Sequence, residues 1–216
     1  MRKSVSHMCP AIRRGNAGHD GSALSVNHVI EITNDSTASA AFRAVVDDLK
    51  NAKLRRELDF EQIPAPGKLA ADSIAFAVHV KTSSKNETSD LGTGRFVLLH
   101  EPSVQDQWAS NFRIVTFCKS PLEINIGIDE DASDLAWSWL LEALANRSAE
   151  HHNIAGTSTR IISTGHGSLE NQSQHAEFEL RASWSPDSNF AAHLEAWQDV
   201  VCAMSGFAID PDTARI

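Results

Sequence analysis

The stretch DSIAFAVHVK, residues 72–81, decides the fold class because apolar side chains recur in it at every second position. They are Ile74, Phe76, Val78 and Val80. Successive side chains of a β-strand point to opposite faces, so these four share one face. The stretch predicts a strand with one side packed against a core.

The segments that follow continue the strand pattern. The polar run SSKNETSDLGTG (83–94) predicts a hairpin loop. It leads to RFVLLH and NFRIVTFC, and GTSTRIIS and HAEFELRASW appear later, all rich in β-branched and aromatic residues. A further stretch, ELDF, alternates briefly before two prolines stop it. LEINIGI (122–128) fits either an edge strand or an ordered loop.

Three segments instead have the 3.6-residue period of a helix. They are STASAAFRAVVDDLKNAK (36–53), IDEDASDLAWSWLLEALANR (128–147) and NFAAHLEAWQDVVCAMSG (189–206). Ser36 or Thr37 is expected to cap the first of these helices, and Gly206 to end the last.

This order predicts an α+β protein, a two-layer sandwich in which three helices cover one face of an antiparallel sheet of about five strands. The element order is α-β-β-β-α-β-β-α, which resembles the secretion-chaperone-like topology. We expect a mobile N-terminal tail at 1–36, a single domain at 37–207 and a C-terminal tail at 208–216.

Composition and charge exclude several classes of protein. The formal net charge is −9, which makes a nucleic-acid partner unlikely because phosphate contacts need clustered Lys and Arg. No apolar run is long enough to cross a bilayer. Three cysteines (Cys9, Cys118 and Cys202) have neither a disulfide framework nor metal spacing, which indicates a reducing cytoplasm.

The polar residues show no recognisable catalytic or metal-binding arrangement. The ten histidines include the adjacent His151 and His152, whose side chains diverge, and no HExxH or paired-cysteine motif is present. The acidic residues of IDEDASD (128–134) fit the positive end of a helix better than a cation site. We therefore predict no metal, no cofactor and no catalytic residue.

Charged residues are expected to line the sheet face that the helices leave open. Alternation in each strand places four arginines there, accompanied by two glutamates and several apolar residues. The arginines are Arg95, Arg113, Arg160 and Arg181, and the glutamates are Glu177 and Glu179. The ordinary interpretation is a set of weak cross-strand ion pairs, and the functional one is a surface that docks a partner.

The second helix contains two tryptophans that point in nearly opposite directions. Trp137 belongs to a stripe expected to pack on the sheet, and Trp139 belongs to the other side of the helix. The first stripe adds Leu140, Leu141 and Leu144, and the second adds Leu135 and Ala143. Trp139 must then lie under a neighbouring helix or at a subunit contact.

Seven segments in this order and spacing resemble one family, the actinobacterial domain-of-unknown-function family numbered three thousand. They are EQIPAP (61–66), TGRFVLLHEP (93–102), FRIVTF (112–117), WSWLLEAL (137–144), GTSTRIIS (156–163), AEFELRASWSP (176–186) and HLEAWQDVVCAMSG (193–206). The resemblance implies no established activity and no catalytic residues. Its gene context suggests an RNA-linked accessory role as a third possibility, which the net charge opposes.

The sequence thus favours a cytoplasmic, non-catalytic α+β protein, an adaptor or chaperone-like module that binds a protein partner or associates as a homodimer. Its expected surface consists of the arginine row, the two glutamates and Trp139. The alternative is a small-anion-binding protein, or an enzyme, that uses the arginine row for a carboxylate or phosphate.

Overall fold

The structure is a computed structural model that describes residues 32–33, 35–67, 69–81, 91–122, 132–170 and 174–209. Within these residues the chain forms three α-helices, six β-strands and a short 3-10 turn. The helices are α1 (Ala40–Leu49), α2 (Ala132–Asn146) and α3 (Phe190–Met204). The strands are β1 (Leu58–Ile63), β2 (Asp72–Val80), β3 (Thr93–Gln105), β4 (Ser110–Leu122), β5 (His151–Ser163) and β6 (His175–Pro186).

The six strands form one antiparallel sheet in the order β1-β2-β3-β4-β6-β5. The predicted α+β class is confirmed, and the sheet has one strand more than the expected five because the short stretch at β1 pairs with β2. Of the ambiguous segment LEINIGI, only Leu122 lies within the described residues, where it ends β4.

The core lies between the sheet and the helices, and α3 is its centre. Phe76, Phe96 and Phe178 point from the sheet toward this side, and all three are buried. The predicted apolar stripe of α3 faces them, with the Trp197 ring 5.6 Å from that of Phe96. The close approach requires a glycine on β3, since a Cβ at Gly94 would lie 2.8 Å from Trp197 Cζ2.

The helix ends follow local rules with one difference from the sequence prediction. α1 is capped by Ser39, whose hydroxyl accepts a hydrogen bond from Phe42 N at 3.2 Å, and not by Ser36 or Thr37. α3 ends at Met204, and Gly206 follows with φ +83°. That conformation suits glycine, so the predicted helix end is confirmed.

Two buried polar side chains of α3, the carboxylate of Asp199 and the amide of Gln198, connect this helix to the rest of the molecule. Asp199 accepts hydrogen bonds from Arg147 Nε at 2.7 Å and Arg55 Nη1 at 2.8 Å. Gln198 accepts one from the backbone N–H of Arg55 and donates to the carbonyl of Lys53. These contacts fasten α2 and the α1–β1 connection to α3.

Residues near both ends of the described chain also contact the core. Ile32, inside the predicted N-terminal tail, is buried, and Thr33 donates to Gln62 Oε1 at 2.8 Å. The carbonyls of Ala208 and Ile209 accept hydrogen bonds from Arg55 at 3.0 and 2.9 Å. Residues 32, 33, 208 and 209 therefore contact the folded part of the chain.

No helix in the described part of the chain is long and apolar enough to span a membrane.

Trp197→Ala should be far more destabilising than Ser138→Ala. Trp197 is fully enclosed, and truncating a buried tryptophan costs about 3–5 kcal/mol. Ser138 is exposed, and its hydroxyl donates only to the carbonyl of Leu135. Urea unfolding of the two variants measures the difference, and equal midpoints would contradict the packing of α3 described above.

A pH-dependent loss of stability should arise from His193, which is buried and accepts a hydrogen bond from Trp184 Nε1 at 3.1 Å. Burial lowers the pKa of His193 to about 4 from its ordinary 6.5. The unfolded chain therefore binds a proton between these values that the folded chain does not, so stability is full above pH 6.5 and falls as pH decreases toward 4.

Between pH 7 and pH 5 the free energy of unfolding should fall by on the order of 2 kcal/mol from this residue. His193→Gln retains an acceptor for Trp184 but does not titrate, so its stability should change less over this range. The exposed His79→Gln is the matched control and should keep the wild-type dependence. Parallel curves for all three proteins would exclude His193 as the source.

Candidate functional site

The candidate site is the sheet face opposite the helices, which we call the open face. Cross-strand pairs share a face, so the register assigns each residue to one side. Glu61, Ala77, Arg95, Phe117, Arg181 and Thr157 form one continuous row across all six strands. The neighbouring row is more apolar and consists of Ile63, Ala75, Val97, Val115, Ser183 and Ala155.

At the centre of the first row, two arginines flank a phenylalanine, and we call Arg95, Phe117 and Arg181 the Arg–Phe–Arg row. Both arginines are exposed, and Phe117 is half-buried. The guanidinium carbon of Arg181 lies 4.9 Å from the centroid of the Phe117 ring, a cation–π distance. Arg181 also donates to Glu179 Oε2 at 3.1 Å. Two positive groups therefore border an aromatic surface.

The surface beside this row is shallow and largely apolar. Val115 is 39% exposed. Together with Ala155, Thr157, Arg181 and Ser183 it lines a depression of about 360 Å³. On the other side of Arg181, Glu177 pairs with Lys119 at 2.8 Å, so both predicted glutamates lie on the open face in ion pairs.

Arg113 lies on this side of the sheet as predicted, but it is only 9% exposed. Its guanidinium donates to the carbonyl of Asn153, to the hydroxyl of Ser185, and to both the carbonyl and hydroxyl of Ser183, at 2.7–3.2 Å. All these acceptors are neutral, and burial lowers the pKa of Arg113. Arg113 thus holds β4, β5 and β6 together and is not presented to a partner.

Arg160 lies on the opposite side of the sheet from the one predicted. Its cross-strand partner is Phe178, a core residue on the helix-covered side, whereas Thr159 pairs with Glu179 on the open face. The prediction was wrong because β5 is an edge strand with polar residues on both sides, which makes its alternation ambiguous. Ile162, opposite the buried Ala176, also lies on the helix side.

The two tryptophans of α2 both pack against the core, and each is half-buried. Trp137 covers β5, where a Cβ at Gly156 would lie 2.7 Å from its Cζ3 atom. Trp139 belongs to the helical layer and is not part of the open face. The predicted sheet-facing stripe needs one correction, because Leu141 is exposed while Ala136 and Ala143 are buried.

A cluster that no local sequence pattern indicates joins Ser39, Asp72 and His100. His100 Nδ1 lies 2.9 Å from Asp72 Oδ2 and 3.3 Å from Ser39 Oγ. Desolvation raises the pKa of Asp72, but the hydrogen bonds from Ser39 and His100 outweigh it and lower the pKa. A serine nucleophile needs the imidazole nitrogen that the carboxylate does not use. Both groups here meet the same nitrogen, so the cluster fastens α1 to the sheet.

The described residues include no group of three or more His, Cys, Asp or Glu side chains placed to hold a metal ion. Cys118 and Cys202 are buried, and burial raises the pKa of each thiol to about 12. Neither thiol is therefore a nucleophile at neutral pH.

These features define an α+β protein with an open, mixed-charge antiparallel sheet face. A family model described as a protein of unknown function, DUF3000, matches residues 38–213. The chain belongs to this family. Neither a curated protein nor a solved structure matches the chain.

Arg113→Gln should lower the free energy of unfolding by about 1–3 kcal/mol, because the buried Ser185 and the partly buried acceptors on Ser183 and Asn153 would lose their donor. Arg181→Gln, in the same sheet, should cost less than about 1 kcal/mol because the Arg181 side chain is 63% exposed and its ion pair with Glu179 is screened by solvent on that side. Chemical denaturation at pH 7 compares the two. If the two variants were equally stable, the structural role of Arg113 would have to be abandoned.

Proposed function

We propose that this protein is a cytoplasmic, non-catalytic module that binds a protein partner through its open face. The observation that carries the proposal is the Arg–Phe–Arg row, in which two exposed guanidinium groups flank an aromatic ring on an uncovered part of the sheet. Arginine and aromatic side chains are the residues most enriched at binding hot spots.

The chemistry of the row favours a partner with acidic side chains next to apolar ones. Arg95 and Arg181 stand on β3 and β6, which β4 separates, so their backbones are roughly 10 Å apart at the usual strand spacing. Guanidinium groups bind carboxylates through two parallel hydrogen bonds. Phe117 and Val115 provide the apolar contact between and beside them. An extended acidic segment fits this pattern.

The shape of the face also favours a protein over a small molecule. Small-molecule sites usually enclose most of their ligand, whereas the depression beside Arg181 is shallow. Of the four arginines expected to converge on an anion, Arg113 is enclosed by protein and Arg160 lies on the other side of the sheet. The two that remain are separated by an aromatic ring.

A second candidate function is the binding of a small anion beside Arg181. It is favoured by the depression of about 360 Å³, which Arg181 lines together with Thr157 and Ser183. These side chains offer one positive charge and two hydroxyl groups to a carboxylate or phosphate. The two functions differ in their dependence on Arg95, which does not line the depression.

The test uses a partner captured by the full-length wild-type protein and then measured by calorimetry with purified variants. The double variant Arg95→Gln/Arg181→Gln should lose at least about 2 kcal/mol of binding free energy, roughly 30-fold in affinity. Arg56→Gln is the matched control, because Arg56 is highly exposed and lies in the turn before β1, away from the row.

Circular dichroism should show that all variants are folded. Unchanged partner binding by the double variant would contradict the proposal. If Arg181→Gln alone abolishes binding of inorganic phosphate or a dicarboxylate while Arg95→Gln has no effect, the second candidate replaces the first.

A further inference from the structure

The two edges of the sheet differ in a way that concerns self-association. An edge strand exposes unpaired backbone N–H and C=O groups, and proteins usually protect such edges with short strands, charges and prolines. β1 has these features, because it has only six residues, contains Asp59 and Glu61, and precedes Pro64 and Pro66.

The other edge strand, β5, lacks most of this protection. It has 13 residues, no proline and no lysine, and within the described residues it pairs only with β6. Its one irregularity lies near the start, between His152 and Ala155. From Ala155 to Ser163 the strand is regular, with Arg160 as its only charged side chain.

We propose that two copies of this chain associate by antiparallel pairing of their β5 edges, about a two-fold axis that passes through Ser158. Most oligomers of identical chains have such a two-fold contact, in which the same surface is used twice. An axis perpendicular to the sheet leaves both open faces on the same side, so the dimer has one continuous sheet of twelve strands. The proposal does not depend on the function proposed for the open face.

The sequence of β5 is complementary to itself in this register. Thr157 lies opposite Thr159 of the second copy, and Ile154, at the end of the irregular part of β5, comes close to Ile162. Threonine pairs and β-branched apolar pairs stabilise neighbouring antiparallel strands. Ile162 is 48% exposed in the single chain, and this pairing would cover it.

The same register also determines what Arg160 would face in the dimer. It lies opposite Gly156 of the second copy, where no side chain stands and where Trp137 covers the strand. Arg160 of one copy can therefore extend over the Trp137 ring of the second copy, which is a favourable cation–π arrangement. Moving the axis to Arg160 would instead bring two arginines opposite each other, and like charges directly opposite are destabilising.

An apolar rim beside the edge extends the contact. Leu141 is exposed on α2 and lines, with His151 and Ala149, a depression of about 460 Å³ near the start of β5. The antiparallel register brings the end of the second copy's β5, which carries Ile162, toward this region. Backbone pairing and apolar burial therefore act at the same place.

The first test is sedimentation equilibrium of the full-length protein, for which we expect a dimer. Ile162→Lys should weaken the dimer roughly tenfold or more, since it removes apolar burial against Ile154 of the second copy. Val104→Lys is the matched control, because Val104 is a 61% exposed branched residue on β3, and this variant should remain dimeric. A wild-type monomer at every concentration up to the solubility limit would overturn the proposal, as would equal effects of the two substitutions.

The second test examines the register with introduced cysteines in a Cys9→Ser background, where the remaining Cys118 and Cys202 are buried. Ser158→Cys should form a dimer-linking disulfide on oxidation, because residues at the axis lie within the roughly 4.5–5.5 Å Cα separation of paired strands. Ser163→Cys, also half-buried on β5, should not, since its two copies would be roughly 30 Å apart.

A dimer that neither cysteine links, or that both link equally, would exclude this register. The outcomes remain separate from those for the open face, because Arg95→Gln/Arg181→Gln should still dimerise. If Arg95→Gln/Arg181→Gln loses its protein partner while the wild-type protein is a monomer, the β5 dimer is refuted and the binding role of the open face is not.

Discussion

The structure depends on the burial of α3 between the sheet and the other two helices. Almost every residue of this helix is enclosed, including Gln198 and Asp199. A buried carboxylate costs several kcal/mol unless it is paired and hydrogen-bonded. Asp199 meets this requirement with two arginines from separate parts of the chain, so the position of α3 determines where α2 and the α1–β1 connection must lie.

The same constraint explains why one face of the sheet is left open. All three helices pack on one side because α3 needs α1 and α2 as neighbours, and none in the described chain is left for the other side. The charged and aromatic side chains of the open face must then find their partners on that face. Its residues do so by cross-strand pairs such as Lys119 with Glu177, and by stacking Arg181 on Phe117. The proposed binding surface is thus the side that helix packing left uncovered.

The polar interior was the least predictable part of the molecule. His100, Arg113 and Asp199 are buried, and their hydrogen-bond partners lie far away in sequence. For example, Arg113 binds the backbone of Asn153, and Asp199 binds Arg55. No local pattern marks such residues, since burial and pairing are created only when distant segments meet. A polar residue inside an apolar helical stripe, such as Asp199, was the one available signal.

Local periodicity was sufficient for the helices and for the central strands, because each has one face in the core and that face must be apolar. Ile74, Phe76 and Val78 therefore predicted both their strand and their side of the sheet, and Arg95 and Arg181 followed from the same alternation. The edge strand was different. β5 is polar on both sides, so only its register with β6 could show that Arg160 faces the helix layer and Thr159 the open face. Tertiary structure likewise decided that Arg113 is enclosed, because its acceptors come from two other strands. Alternation assigns a side to a residue, whereas exposure depends on what the rest of the chain brings to that side.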